Sequence, residues 1–141
     1  MSDISVYCDL MGQTQNMALA NPTAYGCNVR IVSYFLNEDT PSVLYFTTFR
    51  DCAKNAEFAA DNRVSFTSIP AEGVIQHVRS TDATVKRSAK KLEDILDMIL
   101  KRMPDHVAAS PEMRNALELY EIHLKSARLI LGYDKNLNVV F

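Results

Sequence analysis

VLYFTTFRDCAKNAEFAADNRVSFTSIP, Val43 to Pro70, decides the fold class of this chain. A β-branched and aromatic run, Val43 to Thr48, meets a polar break at Arg50 and Asp51; an alanine-rich helical pattern follows, and alternation returns from Arg63 to Ile69. The stretch therefore predicts strand, helix, strand. Asp51 is suited to cap the helix by accepting its first free amides, and Asn62 to take the left-handed conformation that often ends one. Cys52, Ala56, Ala59 and Ala60 recur at helical spacing and predict a narrow buried face of small residues.

With Asp51 as cap, Lys54 falls in the first turn, where the positive end of the helix dipole disfavours a cation by a few tenths of a kcal/mol, about 0.3–1. Arg50 lies just ahead of it, and the hydroxyls of Thr47 and Thr48 precede both. Free amides, hydroxyls and an ammonium together make a cradle for a phosphate. Taken alone, the same residues also read as a solvated surface lysine after two strand-favouring threonines.

The order YFTT, a short gap, a lysine opening a helix and then a second strand resembles the flavin-binding split-barrel family to which pyridoxamine 5′-phosphate oxidase belongs. NVRIVSY (Asn28 to Tyr34) resembles its second strand, where an Arg-x-Val pattern runs along the flavin, and QHVRSTDATV (Gln76 to Val85) its long central strand. The likeness runs from about Met17 to the end of the chain. It implies one domain over residues 1–141, mainly β: an antiparallel split β-barrel of Greek-key type with accessory helices, like the FMN-binding proteins. It also implies a homodimer with FMN in the cleft between two subunits. On it Thr47, Thr48 and Lys54 hold the phosphate, with Arg50 a weaker candidate; Arg30, Ile31, Val32 and Ser33 lie along the ribityl chain and ring; His77 and Arg79 approach the ring, from the same chain or its partner. Asp82 stands where many members carry glycine.

Composition agrees with one domain: 141 residues, 48% apolar, only four glycines, enough chain to bury a sizeable core. A net charge of −2 argues against nucleic acid, which needs a basic face. Cys8, Cys27 and Cys52 lack metal-ligand spacing and are odd in number, which suits free thiols in a reducing cytosol. No leader pattern or apolar run of about 18 residues occurs, so a soluble, cytoplasmic protein is expected.

Elsewhere, residues 1–15 suggest a short helix or an arm, Gln13 to Ala20 a first strand, and Asn21 to Gly26 a turn. Asn37 to Ser42 joins the second strand to the third as a hairpin. A long strand is expected over Val74 to Lys86, with Ile75, His77, Arg79 and Thr81 on one face. Ser88 to Met103 reads as the clearest helix, capped by Ser88 and ended by Pro104; Glu93 and Asp97 on it read as a solvated face. Ser110-Pro111-Glu112 starts another helix. From Leu117 to Leu131 helical spacing and strict alternation are both present; propensity favours helix, the resemblance a strand that closes the barrel, and strand is the expectation. His123 then lies in a solvent-facing row, and Leu137 to Phe141 forms a last strand.

There is no G-x-S-x-G, H-E-x-x-H, Gly-rich phosphate loop or C-x-x-C, so a hydrolase triad, a zinc site, a Walker site and a dithiol pair lack their parts. No catalytic side chain and no metal ligand is assigned. The resemblance implies an FMN-dependent oxidoreductase acting on an unknown small molecule, with NAD(P)H as a donor to consider, since the flavin carries the chemistry. True pyridoxamine phosphate oxidases carry a C-terminal segment that grips the substrate, which this sequence does not reproduce; a nitroimidazole-reductase-like role is equally expected. The alternatives are a non-catalytic flavin- or haem-binding protein, with His77 or His123 as iron ligand, and a relative that has lost its cofactor.

Overall fold

The structure is a computed structural model and describes residues 2–141. A first helix, α1 (Asp3–Gly12), is capped by Ser2, whose hydroxyl accepts from the Ser5 amide. Strands β1 (Asn16–Thr23), β2 (Gly26–Ser33), β3 (Phe35–Leu36) and β4 (Val43–Phe49) follow. Helix α2 (Ala53–Ala60) then leads into β5 (Arg63–Ser68) and β6 (His77–Arg87). A 3₁₀ turn (Leu92–Ile95) runs into α3 (Leu96–Arg102), and α4 (Pro111–Arg114) precedes β7 (Leu117–Leu124), β8 (Ser126–Ile130) and β9 (Asn136–Val140).

Among the described residues the nine strands make one antiparallel sheet in the order β2-β1-β5-β6-β7-β4-β3, with β8 between β6 and β9. It curls into the expected split barrel. The long strand β6 organises it. Val85 faces Ile122 of β7, and Val78 faces Leu129 of β8, so β7 and β8 are one long partner of β6, interrupted at Lys125. There the outer neighbour changes from β4, whose Val43 faces His123, to β9, whose Val140 faces Ser126. That change of partner is the split. The interruption sits opposite a bulge at Thr81 and Asp82, where the β5–β6 register shifts between Val64 and Phe66. The Lys125 amide donates to the Asp82 carbonyl (2.9 Å), so Asp82, the residue that departs from the resemblance, is in the bulge.

The interior is filled by Met17, Leu19, Tyr34, Leu44, Phe46, Phe66, Val78, Ile122 and Leu129, closed at one end by Tyr7, Leu10 and Met11 of α1. A second cluster lies on the outside of β4 and β7, where Tyr45, Leu117 and Leu119 pack under Leu92, Ile95 and Ile99. Arg102 ties that helical layer to the barrel: its Nη2 donates to the carbonyls of Met11 and Thr14 at the end of α1, and its guanidinium lies 5.3 Å from the centre of the Tyr34 ring.

Several expectations are corrected. The expected turn over Asn21 to Gly26 shrinks to Ala24-Tyr25, because β1 and β2 pair through Thr23 and Gly26. Pro22 is tolerated in the strand since pairing of β1 with β5 ends at Ala20. The long strand begins at His77, not Val74. The long helix begins at Leu92, not after Ser88. The Ser88 hydroxyl instead donates to Glu121 Oε2 (2.5 Å) and accepts from the Lys90 amide (3.1 Å), which folds residues 88–91 into a turn.

Burial alone would raise the Glu121 carboxyl, but hydrogen bonds from Ser88 and from His123, the latter at 2.7 Å, hold it below the ordinary glutamate value. A carboxyl lowered in the folded state stabilises above its unfolded pKa, and that stabilisation disappears as the pH falls through the folded value. Glu121→Gln is expected to cost about 1–2 kcal/mol near pH 7, with the gap to the wild type closing as the pH falls below the ordinary glutamate range. Thermal melts of both proteins from pH 3 to 8 check this; a gap constant with pH would refute it.

Candidate functional site

Strand β4 ends in a sharp turn at Asp51, whose backbone is left-handed (φ 60°). That conformation carries Asp51 past the capping position. Cys52 is the N-cap instead, and it makes no side-chain bond to the helix; a thiol is a weak acceptor, so the first amides of α2 are left without a side-chain acceptor at the cap. The helix ends at an extended Asp61 rather than a left-handed Asn62. Its buried residue is Phe58, while Ala56, Ala59 and Ala60 are exposed. One ring packed on Phe46 and Tyr120 anchors the helix better than a stripe of methyl groups.

Side chains on opposite sides of α2 reach opposite parts of the barrel. Glu57 faces the β1–β2 hairpin, in which Asn21 and Asn28 are register partners. Its carboxylate accepts from Nδ2 of Asn21 (2.9 Å) and of Asn28 (2.8 and 2.9 Å), and pairs with Arg30 Nη2 (3.4 Å). The two amide donors, with Arg30, hold the Glu57 carboxyl below its ordinary range. Two polar atoms there are buried without a partner, Arg30 Nη1 and Asn21 Oδ1. Lys54 is one turn before Glu57 on the same flank of the helix. It is half-buried and makes no salt bridge among the described residues. Sequence reasoning missed Glu57, Asn21 and Asn28, because what joins them is the hairpin register.

Thr47 and Thr48 point to opposite faces of β4, so their hydroxyls do not converge. Thr47 shares the side of Leu119, its register partner. Thr48 is buried, and its hydroxyl lies 2.8 Å from Asn55 Oδ1 and 2.9 Å from the Phe49 carbonyl oxygen. Its proton is thereby used within the fold. Arg50 is held away from the helix start: Nε donates to the Asn115 carbonyl (3.1 Å), and Nη1 meets Glu118 (3.5 Å).

Alternation divides the remaining candidates. Val32 is buried in the barrel while Ile31 is 68% exposed on the outer surface, and Ser33, on the side of Ile31, donates to Asn16 Oδ1 (2.9 Å). The register runs Ile31, Ala18, Thr67, Arg79, Arg128 across five strands on that outer face. His77 and Arg79 are thus on the face of Ile31, about 14 Å from it at three strand spacings, and on the other side of the sheet from Arg30. Arg79 Nε donates to His77 Nε2 (3.1 Å), and His77 Nδ1 donates to the Ile75 carbonyl (2.6 Å). Both ring nitrogens of His77 are occupied. His123 is half-buried and bonded to Glu121 through Nε2.

Of the residues expected at the flavin, Lys54 and Arg30 are the pair that fits an anionic group together. Lys54 and Arg30 Nη1 are donors without an acceptor on the Glu57 flank of α2. The outer face that carries Ile31, His77 and Arg79 is separate from it within one chain.

The protein family described as "Pyridoxamine 5′-phosphate oxidase-like" matches residues 10–136. Among solved structures, ChuZ of Campylobacter jejuni superposes with a TM-score of 0.78 at 14% identity, over 96% of this chain and 58% of that one. A haem-binding protein from Mycobacterium smegmatis gives 0.77 at 15% identity, over 99% and 58%. A Clostridium acetobutylicum protein of the pyridoxinephosphate oxidase family, related to general stress protein 26 of B. subtilis, gives 0.74 at 7% identity, over 98% and 94%. At these identities the likeness is one of fold, and the chain spans 58% of the length of each of the first two. No curated protein matches the sequence. Among the described residues, no helix is long and apolar enough to cross a membrane and no cluster of metal-binding side chains occurs.

Proposed function

The chain belongs to the pyridoxamine 5′-phosphate oxidase-like family, and from that premise we propose that it is an FMN-dependent oxidoreductase acting on a small molecule, with the flavin held between two copies of the chain. The observation that carries this reading is the pair of cations on the Glu57 flank of α2: Lys54 without an acceptor among the described residues and Arg30 with a buried, unpartnered Nη1. A phosphate there would satisfy both and the uncapped amides of α2 together. Glu57 holds Arg30 in place, and the strand from Arg30 to Ser33 would lie along the ribityl chain and ring. Flavin, when bound, supplies hydride chemistry at its ring; the protein supplies position and charge.

The outer face supports the dimer in this reading. Val29 and Ile31 are 69% and 68% exposed on an edge strand, and apolar surface of this kind favours cover. Pairing through that face would cover Val29 and Ile31 and enclose His77 and Arg79 between the two copies. Three free cysteines suit a reducing, cytoplasmic setting.

An absorption spectrum of the purified protein, taken before and after adding FMN and then NAD(P)H, tests the reading. Flavin bands that survive gel filtration and bleach with the reduced nicotinamide are expected. A Soret band would move the assignment to haem, in line with the Mycobacterium smegmatis relative. A colourless protein that takes up no flavin would sink the oxidoreductase reading and leave the fold intact.

A further inference from the structure

A second cationic site lies across α2 from Lys54. A cleft of about 440 Å³ opens where β4 and β6 end and β7 begins, lined by Arg50, Arg87, Lys90, Lys91 and Arg114. In a chain of net charge −2 with 15 lysines and arginines, a third of the cations meet at one concavity; two carboxylates, Glu93 and Glu118, line it too. Like charges gathered in this way repel one another, and an unliganded surface has no reason to concentrate them.

The arrangement is also built. Glu118, whose side chain is only 13% exposed, receives Arg87 Nη2 (3.2 Å) and Arg50 Nη1 (3.5 Å) on the same oxygen, Oε1. Its other oxygen accepts from Asn55 Nδ2 (3.4 Å), which is in turn tied to Thr48. Arg50 is fixed again by the Asn115 carbonyl. Both guanidiniums are therefore held by a shared carboxylate and still present free N–H groups, the side chains of Arg50 and Arg87 being 52% and 63% exposed. Oriented arginine forks match the oxygens of a phosphate. Asn55 and Glu57, two residues apart on α2, face opposite ways, which separates this cleft from the Arg30 and Lys54 cluster.

We propose that this cleft is an anion-binding site that takes the phosphate or pyrophosphate group of a small molecule, with Arg50 and Arg87 as the gripping pair and Glu118 as the residue that positions them. The site stands independently of the flavin reading.

Calorimetric titration with inorganic pyrophosphate, at low salt and with excess FMN either present or absent, is the test. Saturable binding that weakens with added salt is expected to persist when FMN in excess fills the Lys54 flank. Arg50→Ala with Arg87→Ala should weaken it about tenfold or more. Lys91→Gln, which disturbs neither arginine, should weaken it a few-fold, and Lys54→Ala should leave the binding measured with FMN in excess unchanged. Absence of binding would overturn the proposal, as would binding that ignores the arginines or is lost with Lys54→Ala. A protein that takes up no flavin yet binds pyrophosphate would leave this site standing while the flavin reading falls.

Discussion

Phe46→Ala is expected to destabilise the protein by about 3–5 kcal/mol, the range for deleting a buried aromatic, and to lower the midpoint of thermal unfolding by roughly 10 °C or more. Phe46 is fully buried. Its ring lies 6.0 Å from that of Phe58 and 5.7 Å from that of Tyr120, and Phe58 and Tyr120 are themselves 5.7 Å apart. The three rings join β4, α2 and β7, so the cavity left by alanine has walls on three separate elements and little freedom to collapse. Since a domain of this size has about 5–15 kcal/mol in hand, much of that margin goes. Denaturant unfolding measures the loss, with Leu44→Ala, another fully buried residue of β4 outside the ring cluster, as a comparison. A loss below about 1 kcal/mol for Phe46→Ala would mean that the ring cluster does not hold the core.

That cluster also explains which parts of the fold were legible. Phe46 and Phe66 announce strands by their neighbours, and the helix between them is visible as a change of period. From Leu117 to Leu131 the two periods competed. The strand prevails because Tyr120, Ile122 and Leu124 are all buried on one side while Leu117 and Leu119 are buried on the other, under the 3₁₀ turn and α3. A segment covered on both faces satisfies helical spacing by accident. The helix expected after Ser88 fails for the opposite reason: the partner that recruits its cap, Glu121, is 33 residues away. Local rules place Ser88 at a helix start, and a distant carboxylate removes it.

The candidate site divides along the same line. That Arg30 and Ile31 point to opposite faces follows from alternation. That Arg30 is held by Glu57, that Thr48 is spent on Asn55, and that Arg50 turns to Glu118 depends on contacts between elements, and none of these partners is signalled by spacing. The clustering of Arg50, Arg87 and Arg114 is likewise invisible until the ends of β4 and β6 and the start of β7 are brought together.

Lys54→Ala is expected to reduce the affinity for FMN by about 10–100-fold, the effect of losing one charge-assisted contact to a phosphate. The affinity for riboflavin, which has the same ring and no phosphate, should not change. Lys54 is half-buried on an eight-residue helix anchored by Phe58, and it has no salt-bridge partner among the described residues to strand when removed; the variant should therefore melt as the wild type does. Arg30→Ala differs in kind. It would leave the Glu57 carboxylate with only Asn21 and Asn28, adding an uncompensated negative charge beside the phosphate as well as deleting a donor, so its loss should exceed that of Lys54→Ala. Fluorescence titration of both variants with FMN and riboflavin gives the four affinities. If riboflavin weakens in parallel with FMN, the cations act through the fold rather than on the phosphate. If FMN binds both variants as it binds the wild type, the phosphate does not lie at this flank of α2. The two results are distinct because the proposed arrangement assigns the ring and the phosphate to different parts of the chain, the backbone of β2 and the start of α2.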